Sequence, residues 1–338
     1  MTVAAFRRRR ESWALIAATP LVLAALLASL ALGGEILGPD RVVGGLLGGE
    51  DAFVVQTLRL PRAAAGIAVG AALALAGAIA QTVMRNPLAS PDIVGVTGGA
   101  SVGAVAVITF AGSAGGVSGS AAMIGVPLAA VAGGAAATLL VSLIARTTER
   151  VVLVGVGVTA MCQSAVTWLL VQGDVNDAGR AATWLTGSLN GRNWADVVPV
   201  LAVLALCLLA LTALVRPLSM IALGDDVAEA LGVRVNRVRW ISLALTAVLA
   251  GVATAAAGPV AFVGLCAPAI AQRLTGAGRP PLLLSVAVGA ILVGAGDLVG
   301  RNLFAWFGAG PVQLPVGIVT GAVGAVYLIF LIRRRARS

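Results

Sequence analysis

Few side chains in this sequence could act as a nucleophile, a general base or a metal ligand. The chain contains no histidine and no lysine, so all 23 of its basic residues are arginine. A nucleotide-binding P-loop needs a lysine, and histidine is the commonest general base and metal ligand. Cys162, Cys207 and Cys266 stand alone in apolar segments, where cysteine acts as a small buried hydrophobe. The chain is therefore not a conventional P-loop ATPase, and no cluster of residues predicts an enzyme.

Asp297 and Arg301 are the charged residues best spaced to interact inside an apolar region. They are four residues apart, which places them on one face of a helix. A carboxylate near a membrane boundary is costly unless it is paired, so we expect these two side chains to form an ion pair. Asp92 is the other carboxylate close to an apolar run. An ion-coupled transporter would be expected to carry more intramembrane carboxylates than these.

The elements that carry these residues are strongly apolar. The 338-residue chain is 59% hydrophobic and 11% charged, with a mean hydropathy of +1.01. A soluble domain of this size has too little interior to hide so much apolar surface. The apolar runs are continuous and do not alternate, which favours membrane-spanning helices over a barrel. The sequence predicts an all-α membrane protein in which residues 1–338 form a single transmembrane domain.

Charges, prolines and polar clusters divide the apolar runs into ten predicted crossings. The eighth is short and flanked by proline, so it is the weakest member of the set. The predicted crossings are residues 13–32, 63–84, 93–111, 122–144, 151–171, 197–215, 238–257, 260–270, 282–298 and 314–332.

Arginines indicate the orientation of these crossings. Residues 7–10 and 333–337 form basic clusters outside the first and last apolar runs, as expected if both termini are cytoplasmic. Residues 7–32 also resemble a signal peptide, but the long run without a clear small-residue cleavage site favours a retained helix. With ten crossings and a cytoplasmic N-terminus, only six arginines lie on the extracytoplasmic side: Arg41, Arg59, Arg62, Arg180, Arg192 and Arg301.

Glycines recur four residues apart within the predicted crossings. Small residues at this spacing allow helix backbones to approach closely, so the set indicates a tightly packed bundle. The pairs are Gly66/Gly70, Gly99/Gly103, Gly296/Gly300 and Gly317/Gly321.

Residues 216–237 form a cytoplasmic connection that differs from a plain linker. Within it, residues 223–233 contain an acidic first turn after Gly224, apolar residues at helical spacing, and Gly232 as a stop signal. This pattern predicts a short amphipathic helix that docks another protein. A helix lying on the bilayer is the alternative, but such helices usually favour basic residues.

Several motifs along the chain resemble one known family. They are residues 59–62 (RLPR), Gly77, Gln81, residues 85–89 (RNPLA), 91–92 (PD), 184–188 (WLTGS), 223–233, 258–265 (GPVAFVGL), Asp297 with Arg301, and 314–317 (LPVG). In this order they resemble the FecCD family, the membrane permeases of bacterial ABC importers for ferric siderophores, haem and cobalamin. The resemblance covers about residues 12–335.

This resemblance implies partners for the chain. A ten-helix permease of this kind, with both termini cytoplasmic, pairs with an identical or related copy. Two cytoplasmic ATPases power it, and an extracytoplasmic binding protein delivers the cargo. ATP and Mg²⁺ would belong to the ATPases, so no cofactor is expected on this chain. The cytoplasmic membrane of a bacterium is the expected location.

The resemblance also implies roles for individual residues, each with a structural alternative. Arg59, Arg62 and Arg301 match positions that grip acidic residues of the binding protein, although arginines at helix ends also snorkel to the membrane interface. Thr147 and Thr148 match an inner gate, but hydroxyl side chains equally fit a helix cap. Residues 216–237 are implied to be a cytoplasmic coupling segment, in which the candidates for contact with the ATPase are Gly224, Asp225, Glu229 and Gly232.

One position departs from the family pattern. Relatives often have a Pro-His pair followed by Arg, whereas this chain has Pro268-Ala269 and then Gln272-Arg273. We expect altered local polarity at the inner end without loss of transport.

The leading hypothesis is a permease subunit that moves a ferric siderophore inward by alternating access. Residues 184–192 look closer to siderophore permeases than to cobalamin permeases. A cobalamin or haem permease is the alternative within the family. An ion-coupled secondary transporter is the alternative outside it, and a membrane-embedded enzyme is the remotest reading.

Overall fold

The protein is a bundle of α-helices in a computed structural model that describes residues 3–33, 35–113, 120–145, 148–308, 310 and 312–335. A π-helix (Phe53–Arg59) leads directly into α3, and a 3-10 turn (Pro91–Val94) precedes α4. The thirteen α-helices of the described residues are α1 (Val3–Ala31), α2 (Pro39–Leu46), α3 (Leu60–Val83), α4 (Val96–Ser113), α5 (Ser120–Ile144), α6 (Thr148–Gln172), α7 (Val175–Leu185), α8 (Trp194–Ile221), α9 (Asp225–Ala230), α10 (Val235–Ala257), α11 (Val263–Thr275), α12 (Leu282–Trp306) and α13 (Val316–Arg335).

Each of the ten predicted crossings coincides with one of these helices, which confirms the all-helical fold class. Seven helices in the described part of the chain are long and apolar enough to cross a membrane. The apolar parts of α4 and α13 are shorter, and α11 has only 13 residues. About 20 residues are needed for a full crossing, so the count of ten crossings and the cytoplasmic termini stay predictions.

Helix α3 lies at the centre of the bundle. The span that contains it is 89% buried, against 17% for the spans of α1 and α6. It packs against α8, α10, α11 and α12. Because α3 consists mostly of alanine and glycine, its backbone can approach these neighbours closely.

Two glycine contacts show how close this approach is. A β-carbon added to Gly77 would lie 1.7 Å from the carbonyl oxygen of Gly264 on α11, and one added to Gly70 would lie 2.2 Å from that of Gly289 on α12. Neither position can carry a larger side chain unless the helices move apart. Gly321, by contrast, has open space around it. The predicted glycine pairs therefore include both packing sites and free positions.

The structure contains two helices between the predicted crossings. α2 and α7 lie in residues 33–60 and 172–196, which separate the first crossing from the second and the fifth from the sixth. Helix α7 buries Asp177, Ala181 and Trp184, spaced four and three residues apart. This spacing in the sequence is typical of the buried face of a helix, but the many polar residues around these three positions make the pattern difficult to recognise.

The predicted helix at residues 223–233 is shorter than expected. Helix α9 covers only Asp225–Ala230, because Gly224 and Gly232 on either side have φ angles of +126° and +84°. Residues with side chains rarely adopt such angles, so the two glycines fix where the helix begins and ends.

Candidate functional site

Three buried charged side chains form an ion cluster at the predicted outer end of the bundle. Asp297 of α12 accepts a hydrogen bond of 2.9 Å from Nη2 of Arg62 on α3, and its other oxygen lies 3.0 Å from Nε of Arg301. The side chains of Arg62, Asp297 and Arg301 are 12%, 4% and 6% exposed. The expected pairing of Asp297 with Arg301 is confirmed, and Arg62 is an additional partner. We call these three residues the outer ion cluster.

The outer ion cluster connects several elements. Nη2 of Arg301 donates a 2.6 Å hydrogen bond to Oγ of Ser29 on α1. Nη1 of Arg62 donates to the side-chain amide oxygens of Asn190 and Gln313, at 3.3 and 3.0 Å. Two buried arginines share one carboxylate, so the cluster keeps a net positive charge. The attraction within it is strong because the surrounding protein screens charges poorly.

Arg59 lies nearby and closes the end of α1. Its Nη1 donates to the carbonyl oxygens of Leu30 and Ala31, at 2.7 and 3.0 Å, and its Nη2 donates to that of Glu35 at 2.7 Å. The carbonyls of Leu30 and Ala31 lie in the last turn of α1, where carbonyl groups have no partner within the helix, and a cation at a helix C-terminus also complements the helix dipole. Arg59 therefore has a structural role besides any contact with a partner.

The structure thus brings the three predicted docking arginines to one end of the bundle and gives each of them intramolecular contacts. Their role in docking stays a prediction. Pairing with Asp297 competes with docking by Arg301, and the contact of Arg62 with Asp297 was not predicted. Arg62 and Asp297 are 235 residues apart in the chain, so no local pattern connects them.

A more exposed ion pair lies beside this cluster. Arg41 of α2 donates hydrogen bonds of 2.8 Å to both carboxylate oxygens of Asp51 and one of 2.7 Å to Glu35. The hydrogen bond from Arg41 lowers the pKa of Asp51 below its ordinary value. These contacts hold α2 against the start of the π-helix.

At the predicted inner end, Asp225 anchors the middle of the predicted coupling segment (residues 216–237). Nη2 of Arg239 on α10 donates to both carboxylate oxygens of Asp225, at 3.1 and 3.0 Å. Nη2 of Arg85, in the turn after α3, lies 3.4 Å from the same carboxylate. The carboxylate also lies in the first turn of α9, where a negative charge favours the helix. Asp225 therefore fixes the coupling segment to two parts of the bundle.

Several side chains in and beside α9 face outward. Leu223, Val227 and Leu231 recur every four residues and are exposed, as is Glu229. Glu229 forms no ion pair with any residue in the described part of the chain. A stripe of apolar side chains beside a free carboxylate is a surface suited to a protein partner.

The predicted gate is only partly visible. Thr147 lies outside the described residues. Thr148 is the first residue of α6, and the structure describes its backbone but not its side chain. The gate stays a prediction.

The position that departs from the family pattern has its own contacts. The Arg273 guanidinium lies over the rings of Tyr327 and Phe330 on α13, at 5.6 and 5.2 Å from their centroids. Gln272 donates through Nε2 to the carbonyl oxygen of Ala277 at 3.2 Å. These contacts join the inner end of α11 to α13 and to the loop that follows α11, and Ala269 itself is buried.

A cavity of about 510 Å³ lies between α4, α6 and the break that separates α10 from α11. Its lining is mostly apolar but includes several polar side chains, and we call it the polar cavity after them. The cavity is lined by the side chains of Asp92, Thr97, Ser101, Thr159 and Gln163, among others. Asp92 accepts hydrogen bonds from the hydroxyls of Ser90 and Thr97 and pairs with no arginine in the described ranges. Non-helical backbone beside a polar cavity is typical of substrate pathways in transporters. Asp92 was identified from the sequence as a carboxylate close to an apolar run, but this cavity was not predicted.

The described residues contain no group of three or more His, Cys, Asp or Glu side chains that could hold a metal ion. The three cysteines are free thiols, and two of them are buried. The features available for function are thus two charged ends and a polar cavity between helices.

Comparisons with known proteins agree with this arrangement. The family model "FecCD transport family" matches residues 21–334. The ferric enterobactin transport system permease protein FepG of Escherichia coli (strain K12) is 40% identical over 290 residues, which are 85% of this chain and 84% of that protein. The Fe(3+)-citrate import system permease protein YfmE of Bacillus subtilis (strain 168) is 37% identical over 342 residues, covering 98% of each.

A solved structure also shares the fold. It is a metal-chelate type ABC transporter in an inward-facing conformation, with a TM-score of 0.82 and 28% sequence identity. The match covers 95% of this chain and 98% of that chain. Both the sequence and the fold match over nearly their whole length. The chain therefore belongs to the FecCD transport family.

Proposed function

We propose that this chain is the permease subunit of an ATP-driven importer that moves ferric siderophores across the bacterial cytoplasmic membrane. The observation that carries the proposal is the near full-length sequence agreement with permeases named for ferric chelates, together with a fold shared with a metal-chelate type ABC transporter. Two ferric chelates as different as enterobactin and citrate occur among these names. The shared feature is therefore an iron chelate, and the particular siderophore is open.

Hydrolysis of ATP is assigned to separate subunits. The chain has no lysine with which to form a P-loop, so ATP and Mg²⁺ would bind to a partner ATPase. The coupling segment is the proposed contact with that ATPase, through Gly224, Asp225, Glu229 and Gly232. The two glycines set the ends of α9, Asp225 anchors it to the bundle, and Glu229 faces outward. A movement of α9 would be transmitted to α10 through the contact of Asp225 with Arg239, and to the end of α3 through its contact with Arg85.

The extracytoplasmic binding protein is the proposed partner of the outer end. Arg59, Arg62 and Arg301 carry three positive charges, and Asp297 neutralises one of them. The remaining positive charge can steer an acidic surface towards this end and set its register. The amide groups of Asn190 and Gln313 are weaker partners for Nη1 of Arg62 than a carboxylate would be. An acidic residue of the binding protein could therefore replace them.

A second permease subunit is the proposed partner of α6. The span of this helix is only 17% buried, and its exposed residues include Gln163, Ser164 and Thr167 as well as large apolar side chains. Polar groups facing lipid are costly, so this face fits a protein partner or an aqueous pathway better than lipid. Two copies facing each other across α6 would place the polar cavity beside a path between them. Alternating access along that path would move the cargo inward.

The proposal can be tested with purified components in proteoliposomes. We expect uptake of a ferric siderophore to require the permease, the ATPase, the binding protein and hydrolysable ATP together. Collapsing proton and sodium gradients with ionophores should leave the uptake rate unchanged. Uptake that continues without ATP and stops with ionophores would instead identify an ion-coupled transporter. A complex that imports only cobalamin or haem would keep the mechanism and change the cargo.

A further inference from the structure

A second polar cavity, of about 290 Å³, lies at the predicted inner end of the bundle. It is formed by the end of α3, the end of α8 and the connection between α11 and α12. Its polar lining residues are Gln81, Thr82, Arg85, Gln272 and Arg279. We call it the inner basic cavity.

Two arginines give this cavity its charge. Arg279 is partly buried and forms no hydrogen bond or ion pair with any residue in the described ranges. Arg85 shares Asp225 with Arg239, and its Nη2 is the more distant of the two, at 3.4 Å against 3.0 Å. No aspartate or glutamate belongs to the described lining. Two guanidinium groups that face one cavity without an acid favour the binding of an anion there.

The other polar groups of the cavity already form some hydrogen bonds within the protein. Nε2 of Gln81 donates to the carbonyl oxygen of Leu265 at 3.1 Å, and Nε2 of Gln272 donates to that of Ala277 at 3.2 Å. The hydroxyl of Thr82 donates to Ala78 at 2.7 Å. Gln81 is 3% exposed, and its Oε1 has no partner among the described residues. The cavity thus offers guanidinium donors, together with amide oxygens that can accept hydrogen bonds.

We propose that the inner basic cavity binds the phosphate group of an anionic phospholipid. Guanidinium groups bind phosphate through paired hydrogen bonds, and the amide oxygens match the hydroxyls of a glycerol head group. Basic pockets between helices on the cytoplasmic side of a membrane typically bind such head groups. Free phosphate has the same chemistry and must be distinguished by experiment. The site does not depend on the proposed transport function, since lipid binding is measured without transport.

Arg279 is the position at which to test this site. Arg85 also holds the coupling segment through Asp225, so its replacement would change more than the cavity. Arg279→Gln removes one charge and keeps a polar side chain of similar length. Arg237→Gln is the matched control, because Arg237 is an exposed arginine on the same predicted side that does not line the cavity.

The experiment uses the purified transporter complex in nanodiscs of phosphatidylcholine with a small fraction of fluorescent phosphatidylglycerol. Retention of phosphatidylglycerol by the complex is titrated for the wild type and for both variants. We expect Arg279→Gln to weaken retention about tenfold, as the loss of one charged hydrogen-bonding partner implies, and Arg237→Gln to leave it unchanged. Inorganic phosphate is then added at millimolar concentration as a competitor.

The competitor separates the two sources of phosphate. Retention that withstands inorganic phosphate identifies a lipid site. If inorganic phosphate displaces phosphatidylglycerol, and does so more easily from Arg279→Gln than from the wild type, the cavity binds free phosphate as well as the lipid head group. Equal retention by the wild type and Arg279→Gln would overturn the proposal. A wild type that prefers phosphatidylglycerol no more than phosphatidylcholine would also overturn it.

Discussion

Asp297 determines the electrostatics of the outer end at the scale of single residues. It is 4% exposed and lies between two arginines that are themselves largely buried. Removing the carboxylate would leave two buried cations without a counter-charge. Breaking a buried ion pair on one side costs more than the pair contributes, because the remaining charge stays desolvated.

Asp297→Asn should therefore destabilise the protein by about 3–5 kcal/mol, which is the usual cost of leaving a buried charge unpaired. The measurement is the midpoint of denaturation of the purified protein in detergent. Asp40→Asn is the control, because Asp40 is exposed and forms no ion pair in the described part of the chain. Equal midpoints for the two variants would show that the outer ion cluster does not stabilise the fold.

Arg62 allows docking to be separated from stability. Arg62→Lys keeps the positive charge but cannot form the paired contact with Asp297, whereas Arg62→Gln loses both. If the charge steers the binding protein, Arg62→Lys should associate nearly as fast as the wild type. Arg62→Gln should associate several-fold more slowly, and the difference should shrink in about 0.5 M salt. Equally slow association by both folded variants would argue against steering by this charge.

The coupling segment contains a short helix that is held in place without a hydrophobic core of its own. Helix α9 has six residues, too few to be stable alone in water. Gly224 and Gly232 set its ends, Ala228 is buried, and Asp225 bonds to Arg239. The outward residues are left free for a partner.

Glu229→Arg should uncouple ATP hydrolysis from uptake. Reversing an exposed charge at the proposed ATPase contact weakens that contact, and we expect about tenfold less cargo moved per ATP hydrolysed. The ratio of uptake to phosphate release in proteoliposomes measures this. Glu50→Arg is the control, because Glu50 is an exposed acid in the outer region. Normal coupling by Glu229→Arg would return the segment to a role on the bilayer surface.

Glycine contacts set the spacing between helices. Gly77→Ala would drive a methyl group into the backbone of Gly264, and we expect a loss of about 1–3 kcal/mol or failure to fold. Gly321→Ala has nothing within 4 Å and should be neutral or slightly stabilising, since alanine favours a helix. Thermal denaturation of both variants in detergent compares them. A Gly77→Ala variant as stable as Gly321→Ala would contradict the close contact between α3 and α11.

The sequence predicted local relationships better than distant ones. The Asp297–Arg301 pair follows from spacing along one helix, and each crossing follows from a continuous apolar run. The contact of Arg62 with Asp297, and that of Arg239 with Asp225, depend on how helices pack, so no spacing rule gives them. Helix α7 was missed because its buried face includes Asp177 among polar neighbours. The polar cavity combines residues from four separate segments, which composition alone cannot bring together.

At the scale of the whole molecule, a buried central helix is surrounded by helices that are more exposed. Helix α3 is almost wholly buried, and charged contacts at its two ends reach Asp297 on one side and Asp225 on the other. Peripheral α6 exposes polar and apolar side chains beside the polar cavity. This arrangement fits a permease in which docking at one end and ATP-driven motion at the other act on the same helix.

The most direct test of the importer assignment is radio-iron uptake by cells that lack this gene and by the same cells complemented with it. The cells are supplied with a panel of ferric siderophores and, separately, with labelled cobalamin. We predict loss of uptake for at least one class of ferric siderophore, restored by the wild-type gene, with cobalamin uptake unchanged. Loss of cobalamin uptake alone, with every ferric siderophore still imported, would contradict the assignment of the cargo.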